Sequence, residues 1–121
     1  MINKHVKSTN LEMTEAISSY LDKKIDDIQK FLHKFDDVTA RIEVGRTTNH
    51  HHKGDVFRAE INLEYGKHKL RAEATTNDLY KAIDTVKDEI TAEITRETKK
   101  GRHLLRRGHQ KIKNLLKSLR G

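Results

Sequence analysis

The 121-residue chain has no cysteine, no proline and no tryptophan, and aromatic residues make up only 5% of it. Without cysteine there is no disulfide framework and no thiolate metal site, which suits a cytoplasmic protein. Without proline, helices can run long without a break. No apolar run approaches the ~18 residues of a membrane span. The first residues lack the apolar core of a secretory signal, so no membrane role is expected of the chain. With 34% hydrophobic and 36% charged residues, the core must be thin, and the length fits one domain.

Motifs for catalysis are also missing. There is no Gly-rich phosphate loop, nucleophile elbow or His-Glu-x-x-His. Asp26 with Asp27, and Asp36 with Asp37, fit exposed caps and loops better than a pair of carboxylates converging in a cleft. His50, His51 and His52 form the one metal-like cluster. Adjacent residues of an extended loop point different ways, and no partner set stands at ligand spacing, so they read as an exposed loop. The expectation is no enzyme, no metal and no cofactor.

What is present is positive charge, unevenly placed. The formal net charge is +7, from 25 basic and 18 acidic residues. Nine basic residues and no acidic one lie between Lys99 and Gly121, leaving 16 basic and all 18 acidic residues in 1–98. A nearly neutral body followed by a cationic segment points to phosphate or another polyanion as partner.

Periodicity supplies the fold. Residues 2–7 read as a strand with Ile2 and Val6 on one face. Thr14 is a helix N-cap with Glu15 in the first turn. Ile17, Leu21, Ile25, Ile28 and Leu32 then recur at helical spacing, with Tyr20 and Phe31 alongside. From Val38 the period becomes two, through Ala40, Ile42 and Val44. Gly45 to Gly54 reads as a polar loop. Phe57, Ala59, Ile61 and Leu63 make a third segment, Tyr65-Gly66-Lys67 a tight turn, and Leu70, Ala72 and Ala74 a fourth. Asn77 is the expected cap of a second helix, with a stripe of Leu79, Ile83, Val86, Ile90 and Ile94 that reads as core. Tyr20 and Tyr80 are expected at the core rim, each phenol hydrogen-bonded.

The expected class is therefore α+β, in the order β-α-β-β-β-α. A four-stranded mixed sheet, its first two strands parallel, carries two helices packed on one face, as in a double-stranded-RNA-binding domain. The open face mixes Arg41, Arg58, Lys69 and Arg71 with Glu43, Glu60, Glu64 and Glu73, a solvated surface rather than an anion site. It lacks aromatics, which argues against base stacking on the sheet. Two units are expected: an α/β domain over 1–98, and a basic tail over 99–121. Gly101 and Gly108 each weaken a helix by roughly 1 kcal/mol. The tail is thus expected to be frayed or disordered alone, and otherwise a helical extension. Ile112, Leu115, Leu116 and Leu119 give it a short apolar face of about two turns, a weak basis for membrane-surface binding.

Thr14-x-Ala16-Ile17 and Asp78-Leu79-Tyr80-x-Ala82-Ile83-Asp84, with Tyr20, Lys24, Ile25 and Ile28 on the first helix, resemble the ribosome hibernation promoting factor and ribosome-associated inhibitor family. The resemblance runs from about residue 2 to 107 and is to a short form, without the C-terminal dimerisation domain of long members. It implies a ribosome-associated translation inhibitor of stress or starvation, without catalysis. Such a protein occupies the mRNA and tRNA channel of the small ribosomal subunit by basic contacts to ribosomal RNA. It would be cytoplasmic and monomeric in isolation.

Lys24, Arg96 and Lys100 match basic positions of the family. Asp27, Glu89 and Ala92 stand where basic residues are common, and Lys81, Lys87, Lys99, Arg102, Arg106 and Arg107 are the candidates to compensate. Lys23 joins Lys24 as a candidate RNA contact on the first helix, where a solvated face is the competing reading. Part of the RNA grip is thus expected to have moved to the C-terminal segment. The alternative is a protein-interaction module that modulates transcription machinery.

Overall fold

Val38, Ala40, Ile42 and Val44 alternate with more polar neighbours, and this period of two sets the centre of the sheet. The computed structural model describes residues 2–47, 54 and 56–120, with side chains as far as Lys99. Six elements follow in order: β1 (Ile2–Thr9), α1 (Glu15–Phe31), β2 (Val38–Thr47), β3 (Val56–Tyr65), β4 (His68–Thr76) and α2 (Leu79–Arg120). The sheet order is β1-β2-β3-β4. β1 and β2 are parallel, in register from Ile2 with Val38 to Thr9 with Gly45. β2, β3 and β4 form an antiparallel meander.

Both helices bury one stripe against the same sheet face. Ile17, Leu21, Ile25 and Ile28 of α1 and Leu79, Ala82, Ile83, Val86, Ile90 and Ile94 of α2 meet the inward residues of β2 and β3. α2 lies over β3 and β4, and α1 packs beside α2. Each buried Ile, Leu or Val side chain among them contributes about 1.5–3 kcal/mol by leaving water. Thr14 caps α1, its hydroxyl oxygen accepting from the Ile17 N–H at 3.2 Å. Gly66 takes φ 55, the left-handed conformation needed at the first position of the two-residue turn between Tyr65 and His68.

Three details depart from the sequence pattern. The cap of α2 is Asp78, not Asn77. The Thr76 hydroxyl oxygen accepts from the Asp78 N–H at 3.1 Å, and Asp78 Oδ1 accepts from the Tyr80 N–H at 3.0 Å. β2 runs on through Gly45 to Thr47, because β1 pairs with it as far as Gly45 and β3 as far as Thr47. Gly45 marks a close approach and not a loop, since a Cβ on it would lie 3.0 Å from the Thr9 carbonyl oxygen. On the edge strand β1, Ile2 is buried but Val6 is exposed. The backbone of α2 passes through Gly101 and Gly108 as one 42-residue helix. Two glycines costing about 1 kcal/mol each do not outweigh the Leu, Lys and Arg helix formers around them.

Candidate nucleic-acid interface

The two helices meet along a polar seam. Tyr20 of α1 and Tyr80 of α2 pack edge to face, their centroids 4.9 Å apart at 86°. The Tyr20 hydroxyl donates to Asp84 Oδ1 at 2.5 Å, and Lys24 Nζ lies 3.1 Å from the same oxygen. Lys24 also sits 4.9 Å from the Tyr20 ring centroid. Burial works against the Asp84 carboxylate. The Tyr20 and Lys24 hydrogen bonds, with the charges of Lys24 and Lys87, outweigh it and hold the group below its ordinary pKa. The same hydrogen bond to Asp84 raises the pKa of Lys24, and of Tyr20. Lys24 is therefore a fixed, half-buried cation of the seam.

The other helix-face candidates divide into two groups. Lys23, Lys81 and Lys99 are exposed and make no ion pair with another described residue. Lys87 pairs with Asp88 at 3.5 Å, and Arg96 with Glu93 at 2.6 Å. Asp27 forms an ion pair with Lys30 at 3.6 Å. Asp88, Glu89, Ala92 and Glu93 line a shallow groove with Arg71 and Arg96, so this part of α2 is locally acidic. Lys100, Arg102, Arg106 and Arg107 lie on the helical backbone of α2 beyond the described side chains. His50, His51 and His52 lie outside the described residues. Among those described, no group of acidic and histidine side chains could hold a metal, and no helix is long and apolar enough to cross a membrane.

The arginines of the open sheet face are paired with its glutamates, while Lys7 and Lys69 on the same face are exposed. Arg58 bonds Glu60, reaches Glu73 at 2.8 Å and lies 3.9 Å from Glu43. Arg71 bridges Glu60 at 3.3 Å and Glu73 at 2.9 Å, and Arg41 meets Glu64 at 3.4 Å. Asn62, then Arg71 and Arg58, hold the Glu60 carboxyl below its usual range against the opposing effect of burial. These arginines are already engaged by carboxylates.

Periodicity missed one aromatic surface. Phe31 and Phe35 are 50% and 36% exposed, although Phe31 borders the core stripe of α1. The signal was the run Lys30-Phe31-Leu32-His33-Lys34-Phe35, which interleaves cations and rings as single-stranded nucleic-acid surfaces do.

The fold, the capped α2 and the paired-helix seam define a small α+β module whose strongest unbalanced charge is positive. The chain belongs to the Sigma 54 modulation protein / S30EA ribosomal protein family, whose model matches residues 5–102. It is 30% identical over 112 residues to a ribosome hibernation promotion factor of Lactococcus lactis subsp. cremoris (strain MG1363), covering 89% of this chain and 58% of the relative. A factor of the same description from Staphylococcus aureus (strain COL) is 26% identical over 113 residues, covering 93% and 57%. The chain thus spans a little over half the length of these curated relatives. The crystal structure of the Thermus thermophilus Protein Y N-terminal domain superposes with a TM-score of 0.64 at 28% identity, over 78% of this chain and 96% of that one. A ribosomal subunit interface protein from Coxiella burnetii shares the fold, with a TM-score of 0.62 at 14% identity over 81% and 98% of the two chains.

Proposed function

We propose that this protein binds the small ribosomal subunit and silences idle ribosomes by occupying the channel for mRNA and tRNA. Residues 1–98 form the body that fills space, and 99–121 supply most of the grip on ribosomal RNA. The observation that carries this reading is the distribution of engaged charge. Lys24, Lys87 and Arg96 on the packed part of the helices already have carboxylate partners, whereas the segment from Lys99 onward holds nine cations and no carboxylate. Contacts to phosphate through that segment, Lys23 and Lys81 would be released by salt. No bond is made or broken; inhibition is steric.

The test is co-sedimentation with purified small subunits across a salt series. Binding in dilute buffer that is lost as salt rises supports the proposal, and absence of binding in dilute buffer overturns it. The family description also names modulation of sigma 54, which favours a second reading as a protein-interaction module acting on transcription machinery. Such a module would not travel with small subunits.

A further inference from the structure

Where α1 ends, the β3–β4 turn and the middle of α2 converge on an open groove of about 580 Å³. Phe31 and Phe35 are exposed along it. Phe35 is held edge-on against Tyr65, with centroids 4.9 Å apart at 68°. Three lysines, Lys30, Lys34 and Lys99, line the groove against one carboxylate, Glu97, which lies 3.8 Å from His68. Tyr65 also lines the groove; its hydroxyl is buried and makes no hydrogen bond among the described residues.

Exposed rings and excess cations together describe a ligand that is flat and anionic. An apolar protein side chain seated here would leave the lysines without a counter-charge. A nucleobase offers a π face to the rings. Its flanking phosphates match the lysines. Lys99 also begins the cationic run, so the groove is continuous with it along the chain.

We propose that this groove binds single-stranded RNA, an unpaired base stacking on Phe31 with its phosphates against Lys30, Lys34 and Lys99. This names an RNA contact separate from the helix seam and rests on the ribosomal RNA reading given above.

The chain lacks tryptophan, so Phe31→Trp installs a single fluorescent indole at the proposed stacking position. Labelled decauridine should quench that indole saturably in low salt. Phe31→Ala should weaken decauridine binding by about tenfold, and Phe31→Tyr should stay within about twofold of the parent. The proposal is overturned if the indole is untouched while RNA is bound elsewhere, or if Phe31→Ala leaves affinity unchanged. It is equally overturned if Phe31→Ala abolishes only self-association in sedimentation equilibrium, which would make the groove a contact between copies. Pelleting of the parent protein with small subunits is measured in parallel. Parent protein that pellets while decauridine ignores Phe31 removes the groove and keeps the ribosomal role. Parent protein that fails to pellet removes that role, and the oligonucleotide result still decides the groove.

Discussion

Lys24 on α1 and Asp84 on α2, 60 positions apart in the chain, are joined across the helix seam at 3.1 Å. The Tyr20 hydroxyl donates to the same carboxylate oxygen, so one acid ties two helices together. Three consequences of the seam and the charge layout can be measured, and a fourth concerns the core.

Asp84→Asn should lower stability by about 1 kcal/mol near neutral pH; the carboxylate is partly exposed, and screening keeps the loss small. The folded state holds this carboxyl below its ordinary value of 3.8. Its contribution is therefore complete above the ordinary carboxylate range and disappears as pH falls through the folded pKa. Urea unfolding should show a clear difference between parent and variant at about pH 7 that narrows toward about pH 3.

Lys23→Gln and Lys81→Gln remove cations that have no carboxylate partner among the described residues. Each should lower the logarithmic salt slope of small-subunit binding by about one. Lys24→Gln should change that slope less and cost more in stability, because Lys24 is committed to Asp84 and Tyr20. Equal slope changes for the three variants would contradict this division.

Removing residues 101–121 takes away seven cations and no carboxylate. Small-subunit affinity at physiological salt should fall by at least about tenfold. The urea midpoint of the body should hardly move, since Ile94 is the last buried position of α2 among the described residues. Pelleting and unfolding on the same preparation check both halves.

Ile28 is fully buried and Phe31, one turn on, is half exposed. Ile28→Ala should cost about 2–5 kcal/mol through lost burial and a residual cavity. Phe31→Ala should stay within about 0.5 kcal/mol. Chemical denaturation of the two variants separates the core position from the surface one.

The pattern of these residues shows why some features were legible in the sequence and others were not. Strand and helix stripes follow from local periods, so the alternation from Val38 and the run Ile17 to Leu32 read correctly, as did the Thr14 cap. Gly45 misled because glycine marks both turns and close approaches, and only the neighbouring Thr9 carbonyl distinguishes them. Asn77 and Asp78 are both good caps, and Thr76 at the end of β4 decides between them by bonding the Asp78 N–H. The partner of Lys24 could not be read at all, since nothing local links position 24 to position 84. The cationic stretch was plain from composition, while its continuity with α2 depended on weighing two glycines against many helix formers.

The ion-pair lattice on the open sheet gives the molecule a front and a back. Each guanidinium of Arg41, Arg58 and Arg71 already faces a glutamate, so a polyphosphate drifting in from that side finds the arginines occupied and only Lys7 and Lys69 at hand. Encounters would then become adhesive chiefly when the helices and the trailing cations lead, and landing in the correct orientation is favoured before any close fit is tested.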